Sequence, residues 1–254
     1  FQLISMRKSP DVAVITNVAP NHLDVHKDMD EYVEAKTNIY KNGASLLVTN
    51  ANDPRCAELA KDCGCELKVF SAHMTLEQMK EKFPTATGYL VLYDGGVYYS
   101  NGVSAVMLFQ TKNMRVPGKH NVENFMAAIA LIWDVVRERA VKETVRTFSG
   151  VEHRMEFVGK FENIEFYNDS IATIPSATIN CIKSIPNIKT IIIGGMDRGL
   201  DLSSLIVYLY NDKKIETCIF LKDTGYKIKE ELEKLGIQEG DIIKILGYEF
   251  EFLD

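Results

Sequence analysis

Two histidines, an aspartate and a lysine crowd the first forty residues of the chain. His22, Asp24 and His26 fall in one short loop, and Lys36 follows on the segment after it. Before the loop, Val12-Ala13-Val14-Ile15 reads as a strand that ends in polar Thr16 and Asn17. After it, Tyr32, Lys36, Ile39 and Tyr40 recur at helical spacing, which makes Lys36 the odd member of a core-facing stripe. An amine held against apolar surface loses the solvation that stabilises its charge. A neutral amine can act as a nucleophile, or take up CO2 as a carbamate and become an anion. Taken singly, a loop histidine is more often a solvated or capping residue, and a lysine on an apolar stripe more often extends its ammonium to water. The combination of strand end, histidine loop and inward lysine is what points to chemistry.

A second cluster is Val116-Pro117-Gly118-Lys119-His120-Asn121-Val122-Glu123-Asn124. It stops a strand and opens a helix expected to run to about Glu138, with Phe125, Ala128, Ile129 and Ile132 on its apolar side. Its polar first turn serves either as plain N-capping or as donors facing a nucleotide, and these residues alone leave both open. Further on, Val151-Glu152-His153-Arg154-Met155-Glu156 reads as a charged strand edge. Strands at 164–167, 190–193, 217–221 and 242–245 then alternate with helices that start near Pro175 and Leu202 and end near Leu235. Two polar loops, Asn168-Asp169-Ser170 and Gly194-Gly195-Met196-Asp197-Arg198-Gly199, lie just beyond strand ends, where open α/β sheets bind ligands. No Gly-x-Gly-x-x-Gly follows any strand, so a dinucleotide site is not expected.

The elements that must position these residues are legible in outline. Strands at 45–49, 67–70, 89–93 and 97–99 and a helix at 55–63 suggest an α/β core, and Asp94-Gly95-Gly96 signals a hairpin that extends its sheet. The texture changes around Phe148-Ser149-Gly150, which divides the chain into domains 1–149 and 150–254. The 254 residues carry a net charge of -6 with no basic stripe, which argues against a nucleic-acid partner. The apolar runs are far short of a membrane span. Five cysteines without regular spacing suggest reduced thiols in a cytoplasmic protein. Cys63-Gly64-Cys65 lacks the second Cys or His pair that a structural zinc site needs.

Together these segments resemble the Mur ligase family, the ATP-dependent amide ligases of peptidoglycan synthesis. Phe1-Gln2-Leu3 resembles the end of the family's Ser-Ser-Phe-Gln-Leu segment, and Asn21-His22-Leu23-Asp24-Val25-His26 its Asp-His-Leu-Asp-x-His loop. Gly118, His120, Asn121 and Asn124 complete its Gly-x-His-Asn-x-x-Asn, and Glu152-His153-Arg154-Met155-Glu156 matches the Glu-His-Arg-x-Glu that enters its C-terminal domain. The resemblance implies an α/β fold of two domains, a central ATP-binding domain followed by a Rossmann-like C-terminal ligase domain. It implies that His22 and a carbamylated Lys36 hold Mg2+, and that Lys36, His22 and His153 are catalytic. It assigns Asn121 and Asn124 to the adenine of ATP, Arg154 to the phosphates and ribose, Asp169 to the nucleotide, and Ser170, Thr173 and Arg198 to the incoming amino acid.

The stretches 167–173 and 194–201 narrow the resemblance to members that add D-glutamate to UDP-N-acetylmuramoyl-L-alanine. Ile171 stands where many such members have lysine, and Arg198 where lysine is common. The implied partners are those two substrates and ATP, with no nucleic acid, no membrane and a monomeric state. No Gly-x-x-x-x-Gly-Lys-[Ser/Thr] occurs in the chain, so the family's phosphate loop and N-terminal domain, and its last substrate-contacting segment, are expected to lie outside this stretch. The stretch alone is therefore expected not to turn over. Alternatives are a family ligase for another amino acid, a folate-polyglutamylating relative, or a non-catalytic binding protein of the same build.

Overall fold

The computed structural model describes residues 2–19, 26–116 and 118–236. The chain divides into two compact units, Phe1–Ser149 and Gly150–Asp254. The strand expected at 242–245 lies outside the described residues.

In the first unit β1 (Val12–Ile15), β2 (Leu46–Asn50), β3 (Glu66–Ser71) and β4 (Gly88–Tyr93) pair in parallel and in sequence order. Helices α1 (Met29–Lys41), α2 (Pro54–Lys61) and α3 (Leu76–Lys82) make the crossovers. Successive side chains of a strand face opposite ways, and both faces here are apolar. Leu47, Leu67, Val69, Tyr89 and Val91 pack with Tyr32, Tyr40, Cys56, Ala57, Ala60 and Met79 of the three helices. Leu46, Val48, Phe70 and Leu90 point the other way, onto Val122, Met126, Ile129 and Ala130 of α4 (Lys119–Ile132) and Val141 and Val145 of α5 (Glu138–Thr147). A parallel sheet covered on both faces is the arrangement such near-continuous hydrophobic strands require.

The expected hairpin extends this sheet. β5 (Gly96–Ser100) returns antiparallel to β4, with Asp94 and Gly95 in left-handed conformations at φ 45 and 70 between the paired Tyr93 and Gly96. β6 (Ala105–Gln110) adds an outer strand that the sequence pattern did not signal, because its first half, Ala105 to Met107, is exposed and only Leu108 and Phe109 are buried. Helix α3 was also unanticipated. It is short but carries a complete capping box between Thr75 and Gln78.

The long helix expected to reach Glu138 is two helices. α4 stops at Ile132, whose carbonyl accepts from both Val135 and Val136 N–H in a closing turn. Asp134 in that turn is held by the ammonium of Lys68, a lysine buried on β3, while Trp133 stacks on Tyr99 with ring centroids 4.5 Å apart. The helix face differs too. Ala128 and Ile132 are exposed, and Val122, Met126, Ala127, Ile129 and Ala130 are buried, because the sheet meets α4 along a stripe displaced from the one assumed.

In the second unit β9 (Thr190–Gly195) and β10 (Thr217–Asp223) pair in parallel. Their core is built with α6 (Pro175–Ser184), α7 (Ser203–Asn211) and α8 (Thr224–Lys234) from Ile182, Leu205, Leu209, Ile228 and Leu232. The strand at 164–167 does not open this parallel series. It is β8 (Ile164–Asn168), antiparallel to β7 (Glu156–Phe161) in a separate hairpin. Glu162 and Asn163 form its two-residue turn, at φ 45 and 68, between the paired Phe161 and Ile164. Left-handed residues at both turn positions suit the twist of the strands. The stretch read as a charged strand edge is a turn, and the strand begins only at Glu156.

Candidate functional site

The candidate residues divide between the two units, and each group is built on the ends of strands. In the first unit the parallel strands β2 and β3 end in polar Asn50 and Ser71, and polar Thr16 follows the end of β1. Thr49 Oγ1 donates to the carbonyl of Ile15, which ties β2 to β1 at these strand ends (3.1 Å). Asp53 caps α2, accepting from the N–H groups of Arg55 and Cys56 at 3.0 and 2.9 Å, and its other oxygen accepts from Val18 N–H at 3.1 Å. Val18 opens the loop that carries His22 and Asp24, which lie outside the described residues.

Beyond that loop, His26 is buried, at 3% exposure. Its ring meets Tyr32 edge-on with centroids 5.1 Å apart, and Nδ1 lies 3.9 Å from Glu31 Oε2. Neither ring nitrogen has a hydrogen-bond partner among the described residues. Asp28 caps α1 by accepting from Glu31 N–H at 2.9 Å. One turn on from Tyr32, the half-buried Lys36 sets its ammonium over the same ring, 4.8 Å from the centroid, a cation–π contact. Tyr32 thus touches both the buried imidazole and the lysine amine.

At the start of α4, Gly118 takes φ 99, a conformation that favours glycine, and no side chain caps the helix. Asn124 Nδ2 donates to Asn121 Oδ1 at 3.3 Å, so the two amides expected at adenine sit together one turn apart. Between them in sequence, Glu123 reaches back to the strand ends. Its Oε2 accepts from Asn50 Nδ2 at 3.2 Å, and Oε1 from Ala72 N–H at 3.3 Å and Asn52 Nδ2 at 3.5 Å. Glu123 was not singled out from the sequence, and a lone glutamate near the start of a helix gives no signal that could have found it.

In the second unit the β7–β8 register, with Glu156 opposite Asn168, brings two stretches far apart in sequence together. Met155 N–H donates to Asp169 Oδ1 at 3.0 Å, and Ile171 N–H to the carbonyl of His153 at 3.3 Å. Asn168 Nδ2 lies 2.9 Å from His153 Nδ1, which accepts if that nitrogen is unprotonated. His153 and Met155 both adopt left-handed backbone, at φ 64 and 44, on either side of Arg154. Such conformations cost on the order of 1–3 kcal/mol each unless the surroundings enforce them, and they cluster at ligand sites. Arg154 itself is exposed, and its neighbour Met155 holds Asp169.

Asp169 also faces Cys181, whose thiol is pushed up to about 12 by burial first and by the neighbouring carboxylate second. Thr173 and Arg198 are both exposed, and no hydrogen bond or ion pair among the described residues joins them to each other or to Asp169. The Arg198 loop is anchored beside the arginine, where Asp197 pairs with Lys227 of α8 and accepts Gly199 N–H at 3.0 Å. Those hydrogen bonds, the lysine first, hold the Asp197 carboxyl below the usual carboxylate range.

Among the described residues no group of three or more His, Cys, Asp or Glu side chains is placed to hold a metal ion, and no helix is long and apolar enough to cross a membrane.

Residues 2–132 match the family model of the Mur ligase middle domain. A curated protein of Clostridium kluyveri, UDP-N-acetylmuramoylalanine–D-glutamate ligase, is 36% identical over 250 residues, covering 97% of this chain and 51% of that protein. The protein of the same name from Acetivibrio thermocellus is 36% identical over 234 residues, covering 91% of this chain and 48% of its own. The chain thus spans about half the length of the curated relatives it matches. Among solved structures, the UDP-N-acetylmuramate–alanine ligase MurC of Thermotoga maritima superposes with a TM-score of 0.61 at 23% identity, covering 90% of this chain and 50% of that one. MurF ligase of the same organism, in complex with ADP, gives a TM-score of 0.58 at 17% identity over 87% of this chain and 51% of that one. At such identities these two likenesses concern the fold.

Proposed function

The chain belongs to the Mur ligase family, and from that premise we propose that its full-length protein is an ATP-dependent ligase of peptidoglycan precursor synthesis, adding D-glutamate to UDP-N-acetylmuramoyl-L-alanine in the cytoplasm. The observation that carries the reading is likeness to relatives of that name along nearly the whole chain. It is supported by nucleotide-type side chains in each unit, the paired amides of Asn121 and Asn124 near the start of α4 and the exposed Arg154, whose neighbour Met155 donates to Asp169.

In this reading the substrate's terminal carboxylate oxygen attacks the γ-phosphorus of ATP, the bond to the bridging oxygen breaks, and ADP leaves. The amine of D-glutamate then attacks the acyl carbon of the acyl phosphate, loses a proton, and phosphate departs. Such transfers are driven chiefly by positioning and charge neutralisation. Asn121 and Asn124 hold the adenine, Arg154 the phosphates and ribose with its planar, permanently charged fork, and Asp169 the nucleotide. Ser170, Thr173 and Arg198 receive D-glutamate, with Arg198 able to clamp a carboxylate through two parallel hydrogen bonds. His153, held by Asn168, is the further catalytic side chain.

The magnesium assignment rests on His22 and Lys36. The half-buried Lys36 amine offers no oxygen donor as it stands, so it suits magnesium only as a carbamate. Magnesium, when bound, would neutralise phosphate oxygens there.

The test is phosphate release by the full-length protein with ATP, magnesium and UDP-N-acetylmuramoyl-L-alanine, supplying D-glutamate, L-glutamate, L-lysine and meso-diaminopimelate in turn. Release with D-glutamate alone is expected. Release with another amino acid moves the specificity, as Ile171 in place of lysine would motivate, and release with none of them overturns the reading. Lys36→Ala is expected to raise the barrier by about 3 kcal/mol, by analogy with loss of one preorganised electrostatic contact. Small carboxylic acids should restore part of the rate, and near-wild-type turnover of this variant without them would remove Lys36 from the mechanism.

A further inference from the structure

We infer that Glu123 is a positioning residue for nucleotide recognition, locking the N-terminal part of α4 to the ends of β2 and β3 and so fixing where Asn121 and Asn124 present their amides. The inference rests on the proposed adenine role of those two asparagines.

The polar groups around Glu123 form a closed set. Asn50 is buried, and both ends of its amide are used. Oδ1 accepts Asn52 N–H at 2.9 Å while Nδ2 donates to Glu123 Oε2 at 3.2 Å. Turning that amide over would set oxygen against oxygen, so its orientation is fixed. Asn52 Oδ1 accepts from the buried Ser71 hydroxyl at 2.9 Å, and Ser71 Oγ in turn accepts from His73 and Met74 N–H at 2.9 and 2.8 Å. Ala72 N–H, at the end of β3, completes the set on Glu123 Oε1. One carboxylate from α4 therefore receives donors from the ends of two neighbouring strands and the loops that follow them. It needs two acceptor oxygens to do so, and a carboxylate offers two with no donor of its own.

The N-cap of the helix end that Glu123 anchors is Gly118, a residue with no side chain to cap with. The apolar side chains Val122 and Met126 hold α4 against the sheet, but apolar packing is non-directional and tolerates rotation about the helix axis better than hydrogen bonds do. Side-chain atoms of a helix lie about 5–6 Å from its axis. A rotation of about 10° would therefore carry the amides of Asn121 and Asn124 about 1 Å sideways, and a misplacement of that size can cost about a hundredfold where geometry matters. Glu123 touches neither ATP nor the reacting atoms in this account. It acts through the two asparagines.

Glu123→Gln keeps the size and one acceptor, but turns an amide N–H2 toward the Asn50 or Ala72 donor. Glu123→Ala removes both acceptors. Affinity for ATP and for GTP would be measured by calorimetry on the wild-type full-length protein and on both variants. Turnover would supply separate KM values for ATP and D-glutamate, and thermal melts would report folding. Affinity for ATP is expected to fall at least tenfold in Glu123→Gln, with the preference for ATP over GTP reduced and KM for D-glutamate unchanged. If Glu123→Gln binds ATP as the wild type does, the inference is wrong while the functional reading stands. A uniform loss, with both KM values rising alongside a lower melting temperature, would make Glu123 merely structural and also overturn it. If the wild type binds no adenine nucleotide, the functional reading fails and the inference falls with it. Should Glu123→Ala fail to fold, the glutamine variant decides.

Discussion

Replacing Asp53 separates two things that one carboxylate does. Its Oδ1 caps α2 through the N–H groups of Arg55 and Cys56, and its Oδ2 holds Val18 N–H. Asparagine is about as good an N-cap as aspartate, while alanine forfeits about 1 kcal/mol. In Asp53→Asn the single oxygen can keep the cap, but the amide then faces Val18 N–H with a donor. Val18 is buried, so that N–H would be left without an acceptor, at a cost of about 1–2 kcal/mol. In Asp53→Ala both functions go, for a total of about 2–3 kcal/mol. Urea unfolding would give the sums, and hydrogen exchange read by mass spectrometry would separate the two sites. The asparagine variant should exchange about tenfold faster at Val18, since each 1.4 kcal/mol is a factor of ten, with α2 protection near that of the wild type. The alanine variant should lose protection at Val18 and in the first turn of α2 together. If Asp53→Asn leaves exchange at Val18 unchanged, the carboxylate does not anchor the entry to the histidine loop, and the reasoning is refuted.

Three further outcomes are expected. Gly225→Ala would place its Cβ 2.6 Å from the Ile193 carbonyl, a backbone atom that cannot move aside, so α8 must shift from β9 at about 3 kcal/mol, read as a lowered urea midpoint of the second unit. Lys68 is buried and its partner Asp134 mostly exposed, so the two halves of that ion pair should behave differently. Asp134→Ala, which strands a buried ammonium, should cost about 1–3 kcal/mol, whereas Lys68→Met should lie within about 1 kcal/mol of the wild type; the reverse order would show the pair to be net stabilising. Burial first of all pushes the thiols of Cys56 and Cys181 from their ordinary 9.0 up to about 12. The unfolded chain then releases those protons before the folded one does, so this stability is complete below pH 9 and falls as pH rises toward 12. A urea midpoint that stays flat or rises between pH 8 and 11 would contradict that.

The sequence by itself determined the parts of this protein that follow from local pattern. Val12–Ile15 is a strand where its apolar run ends in Thr16 and Asn17, and Pro175 starts α6 where proline's fixed φ suits the first helical turn. Asp94-Gly95 closes the β4–β5 hairpin because those two residue types tolerate φ above zero. The motif residues also stood out, because asparagine, histidine and arginine at strand and helix ends have no packing reason to be there.

What only the tertiary structure decided were relations between segments distant in the chain. The face of α4 is set by the sheet it covers, so Ala128 and Ile132 turn outward although they continue its apolar spacing. The end of α4 is set in part by Lys68, sixty-odd residues earlier, drawing Asp134 into the closing turn. Ile164–Asn168 has the composition of a parallel strand and pairs antiparallel instead, because the two-residue turn at Glu162 and Asn163 folds it back on its neighbour. That same hairpin sets Asp169 against the backbone flanking Arg154. Glu123 is the plainest case. Its partners Asn50, Asn52 and Ala72 lie at or just beyond the ends of β2 and β3, more than fifty residues away, and a hydrogen bond of that span leaves no periodicity in the sequence, because its cost and gain arise only once the strands have been brought together.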